Sequence, residues 1–176
     1  MLLSGRTMDQ EATRLFTDAL PLAEPLIEKW EGFRSAPYLC PAGVPTIGYG
    51  TTRYPTGTKV TLQDAPIPPA AAQVYLSTAV GRVAVDLFPL LTRAPTVPQL
   101  AALLSLAYNI GVGVHDGIKG DLADSSLLRS FNAGMIPQAA DHFLDWDKAH
   151  VHGQLIVLPG LHLRRAEERA LFLRAA

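Results

Sequence analysis

Glu31 is the only acidic residue between Glu28 and Asp64, and Cys40 is the only cysteine in the chain. Both sit in KWEGFRSAPYLCPAGVPTIGYGTT, residues 29–52, a stretch rich in Gly, Pro, Thr and Tyr. A carboxylate at the C-terminal end of a helix faces the negative end of the helix dipole, which favours its protonated form. A carboxylic acid that keeps its proton near neutral pH is what general-acid catalysis requires. Taken singly, the bland readings win: a helix-end Glu is usually solvated, a lone Cys is a small buried hydrophobe, and Thr46 is an ordinary strand Thr. The spacing is more specific. Eight residues separate Glu31 from Cys40, and five separate Cys40 from Thr46. If the chain reverses at Pro41-Ala42-Gly43, Cys40 and Thr46 can lie opposite each other across a hairpin.

The elements that must position these residues follow from pattern. Residues 1–17 read as a tail. Leu22, Leu26, Ile27 and Trp30 recur at helical spacing and predict a helix from Asp18 to Trp30, weakened early by Pro21 and Pro25. Residues 36–60, with PAG and YPTG as turn signals, read as a small antiparallel sheet or hairpin. From about residue 66 the chain turns helical. Prolines open the segment from Pro68, where they are tolerated. VPQLAALLSLAYNIG is apolar nearly all round and reads as the central buried helix, stopped by Gly111 and Gly113. SSLLRSFNAG, MIPQAADHFLDWDKA and LPGLHLRRAEERALFLRAA read as three further helices. Val114–Asp124 lies in a Gly-rich loop. Trp30 and Trp146 are expected in the core. Arg164, Arg165 and Arg169 are expected on a solvated, ion-paired face with Glu167 and Glu168. The plan is an α+β fold of one catalytic domain, residues 18–176, with a small N-terminal β element packed beside a helical bundle. A cleft between the two parts is a natural ligand site.

Composition bounds the function. Hydrophobic residues make up 48% and charged residues 18% of the 176 residues, which is a folded chain. The net charge of −1 argues against a nucleic-acid footprint and against an electrostatic membrane anchor. One cysteine makes no internal disulfide. His115, His142, His150, His152 and His162 lack ligand spacing, with His150 and His152 read as loop residues, so neither a metal nor another cofactor is expected. No apolar run is long enough to span a bilayer or act as a signal peptide, so access to an extracytoplasmic substrate is expected through some other agent.

The ordered residues Glu31, Cys40 and Thr46 resemble the catalytic pattern of phage-type lysozymes: Glu, eight residues, Asp or Cys, five residues, Thr. EGFRSAPYLCPAGVPTIGYGTT is similar to the family's Glu-Gly start, its Tyr before the second catalytic position and its Thr-Ile-Gly-Tyr-Gly run. ALLSLAYNIGVG resembles its central helix, and LPGLHLRRAEERALF its C-terminal segment. The likeness covers residues 24–176. It departs at Thr51, where the family often has His, and in a longer loop from Val114 to Asp124.

The resemblance implies a lysozyme-like fold and cleavage of the β-1,4 bond between N-acetylmuramic acid and N-acetylglucosamine in peptidoglycan. Glu31 would protonate the leaving oxygen, and the oxocarbenium-like centre would then need a nucleophile or an activated water. Residues 32–63 contain no Asp or Glu, so Cys40 fills that role or a remote acid such as Asp64 or Asp145 does. An unperturbed thiol is only about 3% thiolate at pH 7, and Arg34 or Arg53 would favour the thiolate if close. The family's Thr suits Thr46 to holding the attacking water, which favours inversion over direct sulfur attack. Gly50, Thr52, Tyr108, Asn109 and Ser126 fall where the family lines its sugar cleft, although helix capping competes as a role for Tyr108, Asn109 and Ser126. The expected biology is a monomeric endolysin. It is made in the host cytoplasm, reaches the cell wall through a holin-type membrane lesion, and neither inserts stably in the membrane nor binds nucleic acid. The alternatives are a lytic transglycosylase, a catalytically inactive peptidoglycan-binding module, and an injected antibacterial toxin on the same domain. Glu31→Gln removes the transferable proton while keeping shape. Reducing-end release from cell wall should fall about 100-fold or more, with the thermal midpoint close to wild type.

Overall fold

Asp9 starts the first helix. Its carboxylate accepts the Ala12 N–H at 2.8 Å, and its carbonyl accepts the Thr13 N–H at 2.9 Å, which satisfies donors that a helix start leaves unpaired. The computed structural model describes residues 8–40, 42–114, 121–151 and 154–175. Within them α1 spans Gln10–Glu31, so it begins well before the expected Asp18, and residues 10–17 are helix rather than tail. Residues 1–7 of that tail lie outside the described residues. The helix runs through Pro21 and Pro25, both on its exposed side, while Ala19, Ala23 and Ile27 form a fully buried stripe at four-residue spacing.

Two strands follow, β1 (Arg34–Leu39) and β2 (Pro45–Gly48), paired antiparallel. The chain between β2 and the next helix closes on itself through isolated bridges, Ile47 with Thr51 and Arg53 with Lys59. Then come α2 (Pro69–Leu87), α3 (Val97–Ile110), α4 (Ser126–Asn132) and α5 (Ile136–Asp141). A hairpin of β3 (Lys148–Val151) and β4 (Gln154–Val157) precedes α6 (Pro159–Phe172). The chain divides into two compact units, Glu24–Arg82 and the combination of Met1–Ala23 with Val83–Ala176.

In the larger unit α3 is the core. Every residue from Pro98 to Ala107 is buried. Thr96 caps its start: the Thr96 hydroxyl accepts the Gln99 N–H, and the Gln99 side chain accepts the Thr96 N–H. Gly111 at φ 86° ends it. Phe172 of α6 meets Phe131 and Phe143 at ring-centroid distances of 6.0 and 5.3 Å. Of the Gly-rich segment, residues 115–120 lie outside the described residues. On its near side only glycine fits at 113, because a Cβ there would stand 1.8 Å from the Asp121 carboxylate.

Three features correct the expectations. The helix expected through MIPQAADHFLDWDKA stops at Asp141. It gives way to a 3-10 turn and then to β3, so His150 lies on a strand. Buried Asp147 holds this corner, taking Lys148 Nζ at 2.8 Å and pairing with His162 Nδ1 at 2.9 Å, while its carbonyl accepts the Leu158 N–H at 2.9 Å. These contacts hold the Asp147 carboxyl below its usual range. Trp30 and Trp146 are half-buried rather than core residues.

The third correction concerns α6. Arg164, Arg165 and Glu168 are buried, not solvated, at 3%, 0% and 0% exposure. Glu168 meets Arg164 Nε at 3.1 Å and Arg165 Nε at 2.7 Å, and accepts the Ser105 hydroxyl of α3 at 2.7 Å. Burial raises the Glu168 carboxyl above its ordinary range, opposed by both guanidiniums and by Ser105. The charges tolerate burial because they pair with one another, although Glu168 Oε2 meets Arg165 at ion-pair distance without a well-aligned hydrogen bond. Arg169 does lie toward solvent, on exposed Asp141 at 2.7 Å. Glu168→Ala would leave two buried cations without their shared carboxylate. It should cost about 3–5 kcal/mol and lower the thermal midpoint by roughly 10 °C. Arg169→Ala should cost about 1 kcal/mol or less. Thermal unfolding of the two variants checks both.

Candidate active site

Glu31 is the last residue of α1, half-exposed. The helix closes behind it when the Gly32 N–H donates to the Glu28 carbonyl at 2.9 Å, with Gly32 at φ 68°. That left-handed residue turns the chain directly into β1. The Arg34 guanidinium lies 4.5 Å from the Tyr38 ring centroid, and Phe33 packs on Tyr49 at 5.6 Å.

At the other end of β1 the chain reverses tightly. The Cys40 N–H donates to the Val44 carbonyl at 3.1 Å, and the Gly43 N–H to the Cys40 carbonyl at 2.8 Å. Gly43 sits at φ 74°, open to glycine above other residues. Pro41 lies outside the described residues. The register pairs Tyr38 with Thr46 and Leu39 with Pro45. Thr46 therefore faces Tyr38, not Cys40, across the ladder. Cys40 is two residues along from Tyr38, which puts it diagonal to Thr46 on the same face.

This placement shapes the thiol. The backbone N–H groups of Val44 and Ala42, together with the Thr46 hydroxyl, favour its ionised form and lower its pKa. Neither Arg34 nor Arg53 enters. The sulfur occupies a turn of inward N–H groups, which is where a carboxylate oxygen would otherwise accept. Thr46 is buried at 2% exposure, and its hydroxyl also donates to the Val44 carbonyl at 2.9 Å. A hydroxyl has one proton, so Thr46 can donate to Val44 or to the sulfur, but not to both at once.

Tyr38 joins the two ends of the site. Burial raises its phenol pKa; the Arg34 charge opposes that rise, and the charges of Glu31 and Cys40 add to it. Tyr38 is not among the site residues expected from the sequence. Its signal there is its place two positions before Cys40, on the same strand face.

The remote carboxylates are engaged elsewhere. Asp64 accepts the Thr61 N–H at 2.9 Å, the Thr61 hydroxyl at 2.7 Å and the Tyr54 hydroxyl at 2.7 Å, which lowers its pKa. Burial, with Asp64 as its acceptor, pushes the Tyr54 phenol up to about 12. Asp145 pairs with His142 Nδ1 at 2.7 Å.

Glu31, Cys40, Thr46, Gly50 and Thr52 all belong to the unit Glu24–Arg82. Gly50 has φ 88°, and Thr52 is exposed beside it. Between them Thr51 is buried, bridged to Ile47 by two 2.9 Å backbone bonds, and its hydroxyl has no protein partner among the described residues. Tyr108, Asn109 and Ser126 belong to the other unit. Tyr108 is half-buried and Asn109 exposed at the end of α3. Ser126 opens α4 and accepts from Arg129 at 2.9 Å, but the capping residue is Ser125, whose hydroxyl accepts the Leu128 N–H at 3.0 Å. Among the described residues no group of His, Cys, Asp and Glu could hold a metal ion, and no helix is long and apolar enough to cross a membrane.

Residues 28–168 match the phage lysozyme family model. The chain is 34% identical to an endolysin of Acyrthosiphon pisum secondary endosymbiont phage 1, over 84% of this chain and 92% of that one. Among solved structures, the endolysin of Escherichia coli O157:H7 phage FAHEc1 is similar with a TM-score of 0.74 and 29% identity, covering 97% of this chain and 96% of that one. The muramidase domain of SpmX from Asticaccaulis excentricus is similar with a TM-score of 0.72 and 26% identity, covering 97% and 100%.

The state of the thiol is directly measurable, because the chain has no second cysteine. Alkylation by iodoacetamide followed against pH should give a midpoint below that of the same protein unfolded in urea. Thr46→Val removes one donor to the sulfur and should move the folded midpoint upward.

Proposed function

Because the chain belongs to the phage lysozyme family, we propose that Glu31, Cys40 and Thr46 carry out its hydrolytic step by the water route. The protein is a lysozyme-type glycoside hydrolase that degrades peptidoglycan. The bond is the β-1,4 link between N-acetylmuramic acid and N-acetylglucosamine. The single observation that carries the assignment of roles is the turn at Cys40, which holds a sulfur of lowered pKa within hydrogen-bond reach of Thr46.

Protonated Glu31 gives its proton to the glycosidic oxygen as the C1–O bond breaks. Thr46 holds a water on the opposite face of the sugar. As that water forms its bond to C1, its proton passes to the Cys40 thiolate. Glu31 ends as a carboxylate and Cys40 as a thiol, and proton exchange with solvent resets both. Attack by water from the opposite face inverts the anomeric centre. A carboxylate would serve the same purpose at position 40, because the backbone N–H groups there stabilise any anion. Gly50 and Thr52 line the sugar path in this reading. A monomer made in the host cytoplasm and released through a holin-type lesion is the accompanying biology. Its support is the endolysin relative and the lack of a helix suited to crossing a membrane among the described residues.

Cys40→Ala should fold with an unchanged thermal midpoint and lose about 100-fold or more of its turnover. Cys40→Asp should retain substantial activity, since its carboxylate is ionised at neutral pH. Product analysis by NMR within seconds of cleavage should show the α-anomer first. A β-anomer, or a sugar trapped on sulfur, would replace the water route with direct attack. Full activity of the Ala variant would remove Cys40 from the mechanism.

A further inference from the structure

Arg53 and Lys59 stand opposite each other as partners in an isolated antiparallel bridge. Directly opposed residues of a bridge point to the same face, where like charges repel and destabilise the pairing. Two cations set face to face are unexpected in a chain whose net charge is −1. Among the described residues neither has a carboxylate at ion-pair distance. The Arg53 guanidinium donates to the Gly57 carbonyl at 3.1 Å, which fixes it over its own turn. Both side chains border a recess of 340 Å³ whose other walls are Gly43, Val44, Pro45, Thr52 and Val60. The lining also includes the turn that cradles the Cys40 sulfur: Val44 supplies an N–H to that sulfur and a carbonyl to Thr46.

From this arrangement we infer that the recess is an anion subsite that binds a carboxylate of the peptide stem of peptidoglycan. The inference rests on the hydrolase reading above and extends it. In the scissile bond C1 belongs to the muramic sugar, so the ring attacked beside Cys40 and Thr46 is the one bearing the lactyl-linked peptide. The sugars themselves carry no charge along the chain, and the stem carboxylates are the anions attached nearest the reacting carbon. A carboxylate between Arg53 and Lys59 converts a repulsive pair into two charge-assisted contacts, one of them suited to bidentate geometry. The Thr52 hydroxyl at the same wall offers a further donor. The subsite selects strands with free stem carboxylates over strands whose stems are amidated, and it holds the muramic ring in register with the hairpin.

The test compares two substrates and two proteins. Wild type and the double variant Arg53→Ala, Lys59→Ala are given glycan strands carrying native stems, and the same strands with stem carboxylates converted to amides. Wild type should cleave native strands with a kcat/KM about tenfold above that for amidated strands, a preference that shrinks as salt is raised. The double variant should cleave both at the lower rate, with the loss appearing in KM more than in kcat. Its thermal midpoint should be nearly unchanged, because relief of the opposed cations offsets loss of the Arg53–Gly57 hydrogen bond. Equal rates for wild type and variant on native strands, or a preference that survives in the variant, would overturn the subsite and leave the catalytic reading intact. Absence of hydrolysis by wild type on both strands would instead overturn the catalytic reading, and the subsite with it.

Discussion

The short reversal from Cys40 to Val44 is the constraint on which the active site depends. Two backbone hydrogen bonds close it, Cys40 N–H to Val44 and Gly43 N–H to Cys40. Once closed, it points the Ala42 and Val44 amides at the sulfur and sets the register that faces Thr46 with Tyr38. A slip of one residue would send Thr46 to the opposite face of the sheet. Nothing in this device requires a charged neighbour. Peptide dipoles, fixed ahead of substrate arrival, bias the thiol toward its ionised form. Such preorganised groups are the kind that lower a barrier without reorganising during the reaction.

The features legible in the sequence are those governed by local rules. The central helix, capped by Thr96 and ended by Gly111, is written in its apolar run and its terminal glycine. The strands on either side of PAG follow from turn chemistry. Glu31, Cys40 and Thr46 stand out by spacing, and the fold gathers them into one unit with Gly50 and Thr52. The features that local rules miss share a different cause, which is that tertiary partners decide them. Arg164, Arg165 and Glu168 look like a solvated face until Ser105 and the mutual pairing of charges make burial tolerable. The full length of α1 is hidden by two prolines, which any local reading counts against a helix interior. The corner at Asp147 depends on His162 from the next helix, which no local window contains. Tyr38 gives little sign of itself in the sequence because its place opposite Thr46 rests on strand register.

Clustered charge is handled in opposite ways in the interior and at the surface. In α6 a carboxylate and two guanidiniums neutralise each other inside the protein and face α3. Beside the hairpin, Arg53 and Lys59 are left facing one another at the surface. The first arrangement favours one packing of the helices, because losing any member strands the others. In the proposed subsite, the second gives up a little hairpin stability to keep a positive rim beside the turn at Cys40. Stability and recognition thus use the same residue types under different degrees of solvent exposure.

The thiol in the turn also gives the protein a chemical lifetime. Thiolate character and solvent access are what make a cysteine vulnerable to peroxide, and Cys40 has a lowered pKa on a partly exposed residue. A sulfenic acid formed there meets no second thiol in the same chain, so no internal disulfide protects it from the irreversible steps beyond. Repair must come from a reductant supplied by the surroundings. An aspartate in the same turn would be indifferent to oxidants. Under the role proposed for Cys40, the choice of sulfur ties the working life of the enzyme to the redox state of its surroundings.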